Sequence, residues 1–216
     1  ADEPESLDFL CDLGMPFIKL GSGDINNVPF LRYTASKGLP IILSTGMSNM
    51  KDVSFAYDIL KEAGVSDISI LHCTTNYPCP MNEVNLKAML TIKEALKCKI
   101  GYSDHTLGVE VPVAAVALGA EIIEKHFTLD KKMEGPDHSA SLEPEELKDM
   151  VLKIRNIEQA LGNGVKEPNE SEKNISKVVL KVILAKTDIK KGEKLTEKNL
   201  IIKRAEQGLS AVYWDL

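Results

Sequence analysis

Ile68-Ser69-Ile70-Leu71-His72-Cys73-Thr74-Thr75-Asn76-Tyr77 passes without a break from an apolar run into a string of polar and reactive groups. The run Ile68–His72 reads as a strand. It is short and nearly continuous in apolar character, as expected of a parallel strand buried on both faces. Four similar runs occupy Phe17–Leu20, Ile41–Ser44, Lys99–Tyr102 and Glu121–Lys125. Their starts fall roughly 22 to 31 residues apart, the length of one βα unit. Helical periodicity fills the gaps. Asp52–Ala63 places Val53, Ala56, Tyr57, Leu60 and Ala63 on one face, and Gly64 ends it. Further helices are expected near Leu86–Leu96, Val109–Leu118 and Pro144–Leu161, the last with Ser141 as N-cap and acidic residues in its first turn.

Five βα units in tandem suit either a doubly wound sheet or a barrel. The polar residues favour the barrel, because each apolar run ends in a chemically useful cluster. Lys19-Leu20-Gly21-Ser22-Gly23-Asp24 closes the first and Ser44-Thr45-Gly46-Met47-Ser48 the second. His72-Cys73-Thr74-Thr75-Asn76-Tyr77 closes the third, Ser103-Asp104-His105-Thr106 the fourth and Lys125-His126-Phe127-Thr128 the fifth. Barrel enzymes assemble their sites at the C-terminal strand ends. A dinucleotide fold would concentrate glycines after its first strand, and no GxGxxG is present. The expected class is α/β: a partial (β/α) TIM-type barrel over residues 1–162, a polar linker over 163–176, and a small turn-rich β module over 177–216. The chain starts at Ala1 without a methionine and stops at Trp214-Asp215-Leu216 without a clear signal, so both ends are expected to be cut.

Composition narrows the function. The 216 residues carry a net charge of −6, which disfavours non-specific nucleic-acid binding. Lys and Arg are dispersed apart from Lys190–Lys194, and no apolar run approaches the ~20 residues a membrane span needs. Cys11, Cys73, Cys79 and Cys98 form no CxxC pair, and they read as reduced thiols of a cytoplasmic protein.

Three groups carry candidate chemistry. Lys19 and Ser22, with accessible backbone N–H groups around them, suit a phosphate; the alternative is a turn with a solvated lysine. His105 and His126 follow neighbouring strands and could converge on one divalent metal, with Asp104 or Asp137 as an added carboxylate. Nitrogen and oxygen donors would accept Mn, Fe, Co or Zn; the alternative is two histidines satisfied within the barrel mouth. Asp137, in the Gly135-Pro136-Asp137-His138 loop, could accept from a sugar hydroxyl, and Thr75 and Tyr77 could touch a substrate. Tyr77-Pro78-Cys79-Pro80 reads as a rigid extended wall.

These motifs occur together and in order. Phe17–Asp24, Leu71–Pro78, Gly101–Thr106, Glu124–Thr128 and Gly135–His138 closely resemble the sialic acid synthase family, meaning N-acetylneuraminate synthase and its legionaminate and pseudaminate relatives. Asp188–Arg204 resembles the small antifreeze-like (SAF) domain that follows the barrel there. The resemblance implies that phosphoenolpyruvate condenses with N-acetylmannosamine, or a related 2-acetamido sugar, to give a nonulosonic acid and phosphate. It implies that Lys19, Ser22 and Ser103 hold the phosphate, and that His105 and His126 are catalytic through a divalent metal, Mn first, with Mg or Co as alternatives. It implies that Tyr77, Asp24 and Asp137 line the sugar site; Thr75, a candidate substrate contact, stands where the family's sialate members carry an asparagine that meets the phosphate, with Asn76 one position later. Arg204 corresponds to an arginine that one subunit inserts into its partner's barrel, which implies a homodimer with swapped antifreeze-like domains. Thr74-Thr75-Asn76-Tyr77-Pro78 leans toward the legionaminate-type relatives. The family's first three βα units have no counterpart here, so the 216-residue chain alone is expected to be inactive. Two other readings remain: a different phosphoenolpyruvate-dependent aldol synthase acting on a sugar phosphate, and a binding protein without chemistry.

Overall fold

The computed structural model describes residues 1–215. Five strands, β1 (Ile18–Leu20), β2 (Ile41–Ser44), β3 (Ile68–His72), β4 (Lys99–Asp104) and β5 (Ile122–Lys125), pair in parallel in chain order. A doubly wound sheet reverses its order at a switch point. This one does not, so it is an open stretch of a (β/α) barrel, short of the eight strands that close one. β4 runs two residues further than its apolar character indicated, because Ser103 and Asp104 continue the ladder opposite Glu124 and Lys125.

Helices α1 (Pro4–Asp12), α2 (Val28–Ala35), α3 (Met50–Glu62), α4 (Lys87–Leu96), α5 (Glu110–Ala117) and α6 (Pro144–Leu161) belong to the same unit, which spans Ala1–Gly162. Met150 and Ile154 of α6 pack with Val116 and Leu142 in a second cluster. The apolar faces of α1 to α5 share one core with alternate strand residues: Ile18, Leu20, Ile41, Leu43, Ile68, Ile70, Ile100 and Tyr102. The residues between these point to the opposite face. α3 opens on a capping box, with the Asn49 side chain accepting from Asp52 N and the Asp52 carboxylate accepting from Asn49 N. α6 opens on a similar box between Glu143 and Glu146, so the N-cap is Glu143. Ser141, expected there, instead donates to the Asp137 carbonyl at 2.8 Å.

Gly101 sits where β3 and β5 leave no room for a side chain on β4. A Cβ there would collide with the Leu71 side chain and lie 2.5 Å from the Ile122 carbonyl oxygen, which is backbone and cannot yield. Gly101→Ala is expected to cost about 1–3 kcal/mol by overpacking, seen as a lower urea midpoint. His72 points into the helix-covered layer and donates from Nε2 to the Val84 carbonyl at 3.0 Å. Burial lowers its pKa below the ordinary value. The unfolded chain therefore binds this proton more readily, and the stability it forfeits is lost as pH falls below about 6.5. The urea midpoint of His72→Leu is expected to decline less than that of the unaltered chain between about pH 7.5 and about pH 5.5. Equal declines would show that His72 plays no part.

The second unit begins at Asn163. The polar stretch expected to be a linker carries a helix, α7 (Glu170–Val179), started by a capping box between Asn169 and Glu172. A three-stranded antiparallel sheet follows in the order β7 (Leu200–Arg204), β6 (Lys181–Ala185), β8 (Leu209–Ser210). Buried Asn199 organises its long connection, accepting from Thr196 N at 2.8 Å and donating to the Lys194 carbonyl at 3.0 Å. Leu216, at the end of this module, lies outside the described residues. Among the described residues no helix is long and apolar enough to cross a membrane.

Candidate functional site

The sheet face opposite the helices brings Lys19 on β1, Cys73 after β3, Ser103 on β4 and Glu124 on β5 into one group. Glu124 holds it together. Its Oε1 accepts from Ser103 Oγ at 2.6 Å and its Oε2 lies 3.3 Å from Lys19 Nζ. Lys19 also donates to the Leu20 carbonyl at 3.0 Å. A lysine and a serine expected to hold phosphate thus share one carboxylate. An arriving phosphate would compete with that carboxylate for the same donors. Ser22 stands apart from this trio, 3.4 Å from Thr75 Oγ1 across the β2 loop. Gly46 makes that approach possible, since a Cβ there would strike the Ser22 side chain and lie 2.6 Å from Thr75 Oγ1.

The second group is aromatic. His105 and His126 stand just past the ends of β4 and β5, with ring centres 5.4 Å apart. Tyr77 closes over both, 4.2 Å from the His105 ring and 5.4 Å from the His126 ring. His105 Nδ1 donates to the Thr74 carbonyl at 2.7 Å, which fixes the tautomer and leaves the lone pair on Nε2. Burial lowers the His105 pKa, and His126 nearby lowers it further, against the opposing pull of the Thr74 carbonyl. The neutral form that this favours is the one that could hold a metal. Two imidazoles that each bind one ion at about 2.1 Å bring their ring centres to about 5 Å, which the observed spacing meets. Among the described residues no group of three or more His, Cys, Asp or Glu is placed to hold an ion. The imidazole pair would leave the other positions to water and substrate.

Asp137 lies at this group's rim, its Oδ2 3.6 Å from His126 Nδ1. Its loop is anchored by a 2.7 Å hydrogen bond between Thr128 Oγ1 and His138 Nδ1 and by Thr128 N donating to the Leu142 carbonyl. Asp104, considered above as a further metal ligand, points away from the site and pairs with Lys125. Asp24 sits in a 3-10 turn, Ser22–Asp24, and accepts from Asn27 Nδ2 at 3.2 Å. Arg204 ends β7 in the second unit, exposed and opposite Lys181.

One residue of the first group escaped the sequence reading. Glu124 looked like the polar member of a strand, yet it lies two positions before His126 and so shares its side of the sheet. Cys73 is buried, and Gly46 N donates to its Sγ at 3.1 Å. Burial raises its pKa, with Lys19 pulling weakly the other way. All four cysteines are free thiols.

Comparison with known proteins places this geometry. A family model described as the NeuB family matches residues 2–166. The N,N'-diacetyllegionaminic acid synthase of Campylobacter jejuni is 51% identical over 98% of this chain and 64% of its own length. The N-acetylneuraminate-9-phosphate synthase of Homo sapiens is 41% identical over 93% of this chain and 56% of its own length. The crystal structure of the N-acetylneuraminic acid (sialic acid) synthetase of Leptospira borgpetersenii serovar Hardjo-bovis, in complex with citrate, matches with a TM-score of 0.75. It shows 39% identity over 80% of this chain and 60% of that one. The chain thus spans about three fifths of the length of the relatives it matches. The family model covers most of the chain, including every residue of the two side-chain groups above: the chain belongs to the NeuB family.

Proposed function

We propose that the whole protein condenses phosphoenolpyruvate with a 2-acetamido sugar to give a nonulosonic acid and inorganic phosphate. One observation carries this reading. A cation and a hydroxyl suited to phosphate, Lys19 and Ser103, lie on the same face as a paired set of imidazoles suited to a divalent cation. Lys19, Ser22 and Ser103 bind the phosphate, and its charge is met by the ammonium that Glu124 otherwise holds. Tyr77, Asp24 and Asp137 line the sugar, and Thr75, 3.4 Å from Ser22, contacts the substrates beside them. His105 and His126 hold the ion, Mn²⁺ with Mg²⁺ or Co²⁺ as alternatives, which when bound supplies electrophilic polarisation of the sugar aldehyde. C3 of phosphoenolpyruvate bonds to the aldehyde carbon, whose oxygen takes up a proton. Water adds at C2, the C2–O bond to phosphorus breaks, and phosphate leaves.

The identity with a protein called a diacetyllegionaminic acid synthase favours a diacetamido sugar as acceptor over N-acetylmannosamine. The second unit acts as an antifreeze-like domain, and Arg204 reaches the barrel of a second copy in a swapped homodimer.

The test is release of inorganic phosphate from phosphoenolpyruvate by the whole protein. Release is expected only with Mn²⁺ and an N-acetylated hexosamine together. A preference for a phosphorylated aldose would point to a different aldol-type synthase. Sugar binding without consumption of phosphoenolpyruvate would point to a binding protein.

A further inference from the structure

Asp104 and Lys125 face away from the site, yet each is followed directly by one of its two imidazoles. They are partners at the last rung of the β4–β5 ladder. Beyond that rung the strands end, so no backbone pairing of the sheet restrains His105 against His126. The side chains take over. Lys125 Nζ lies 2.5 Å from Asp104 Oδ2 and also donates to the Thr106 carbonyl. Asp104 Oδ1 accepts from Thr106 N at 3.0 Å and from Thr106 Oγ1 at 2.9 Å. The lysine side chain is 3% exposed and the aspartate 0%. Both charges thus direct their hydrogen bonds to each other and to the residue after His105.

A buried ion pair adds little stability over apolar filling of the same volume; its best-attested use is to fix geometry. Here the geometry it fixes is specific. Successive strand residues alternate sides, so tying residue 104 to residue 125 on one side aims residues 105 and 126 together on the other. The bonds to Thr106 close the chain around His105 from its far end. We propose that Asp104, Lys125 and Thr106 form a positioning clamp that sets the distance and mutual angle of His105 and His126, and through them the affinity for the divalent cation. This rests on the assignment of both histidines to that cation.

The experiment is titration of the whole protein with Mn²⁺ alone, without substrates, followed by the electron paramagnetic resonance of free Mn²⁺. The decisive variant is the double Asp104→Leu/Lys125→Met, which leaves no unpaired buried charge and so is expected to fold. Its Mn²⁺ affinity is expected to fall roughly 10- to 100-fold, the usual effect of losing groups that orient metal ligands. Native circular dichroism with unchanged affinity would overturn the clamp. Thr106→Val keeps both charges and removes one hydroxyl; should the double variant not fold, this one decides. Weaker Mn²⁺ binding by folded Thr106→Val supports the clamp, and unaltered binding overturns it. His126→Ala separates the two ideas. If it loses Mn²⁺ while the clamp variants keep it, the clamp is wrong and the cation assignment stands. If it keeps Mn²⁺, or the unaltered protein binds none, both are wrong.

Discussion

Replacing His126 with alanine in the whole protein is expected to abolish Mn²⁺-dependent phosphate release from phosphoenolpyruvate. The loss should be on the order of 10³-fold or more, because on the proposed mechanism several kcal/mol of electrophilic assistance would go with the ion and each ~1.4 kcal/mol is tenfold in rate. Two imidazoles converge at this point, and among the described residues no group of three or more His, Cys, Asp or Glu is placed to hold an ion. His105, held by the Thr74 carbonyl, keeps its orientation but becomes a single protein ligand. His126 is partly exposed at the sheet's edge strand, so its removal should leave the fold intact. Steady-state phosphate release with added Mn²⁺, alongside a circular dichroism spectrum, checks the prediction. Full activity in a folded His126→Ala variant would remove the cation from the mechanism.

Asp104→Leu is expected to produce the largest loss of stability from one substitution. It leaves the Lys125 ammonium buried at 3% exposure with only the Thr106 carbonyl as partner. Breaking a buried pair from one side typically costs about 3–5 kcal/mol, a large share of the ~5–15 kcal/mol that holds a domain together. Adding Lys125→Met should recover most of that loss, since an uncharged pair of similar volume has no stranded charge. Urea midpoints of the two variants and the unaltered chain decide it. A single variant as stable as the unaltered chain would show that water or a rearranged neighbour satisfies Lys125.

Much of the barrel portion was legible. Ile41–Ser44, Ile68–His72 and Pro144–Leu161 read from the sequence with the bounds they have in the fold, because apolar runs and helical periodicity are local signals. α2 went unread. Its Val28-Pro29-Phe30-Leu31 opening looks like a loop, and the Asn27 side chain that accepts from Phe30 N makes it a helix start. α7 was hidden by polarity. It has no buried residue, and its capping box rather than an apolar stripe marks its start. In the candidate site, the convergence of the His105 and His126 rings was legible because both follow neighbouring strand runs directly. Glu124 was not, since a carboxylate in a strand reads as a solvated residue until its partners are known.

By itself the sequence determined the alternation of strands and helices, the clustering of reactive groups at strand ends and the resemblance those clusters carry. Only the tertiary structure decided what each group does there. Sheet order excluded the doubly wound alternative. Parallel register placed Lys125 against Asp104 and Glu124 against Ser103, pairs 21 residues apart in the chain. The physical reason is alternation. Neighbours in a strand point to opposite sides, so one aspartate beside a site histidine belongs to the buried layer while the histidine faces the chemistry. Which side is which depends on where the helices pack, and that is a property of the assembled fold.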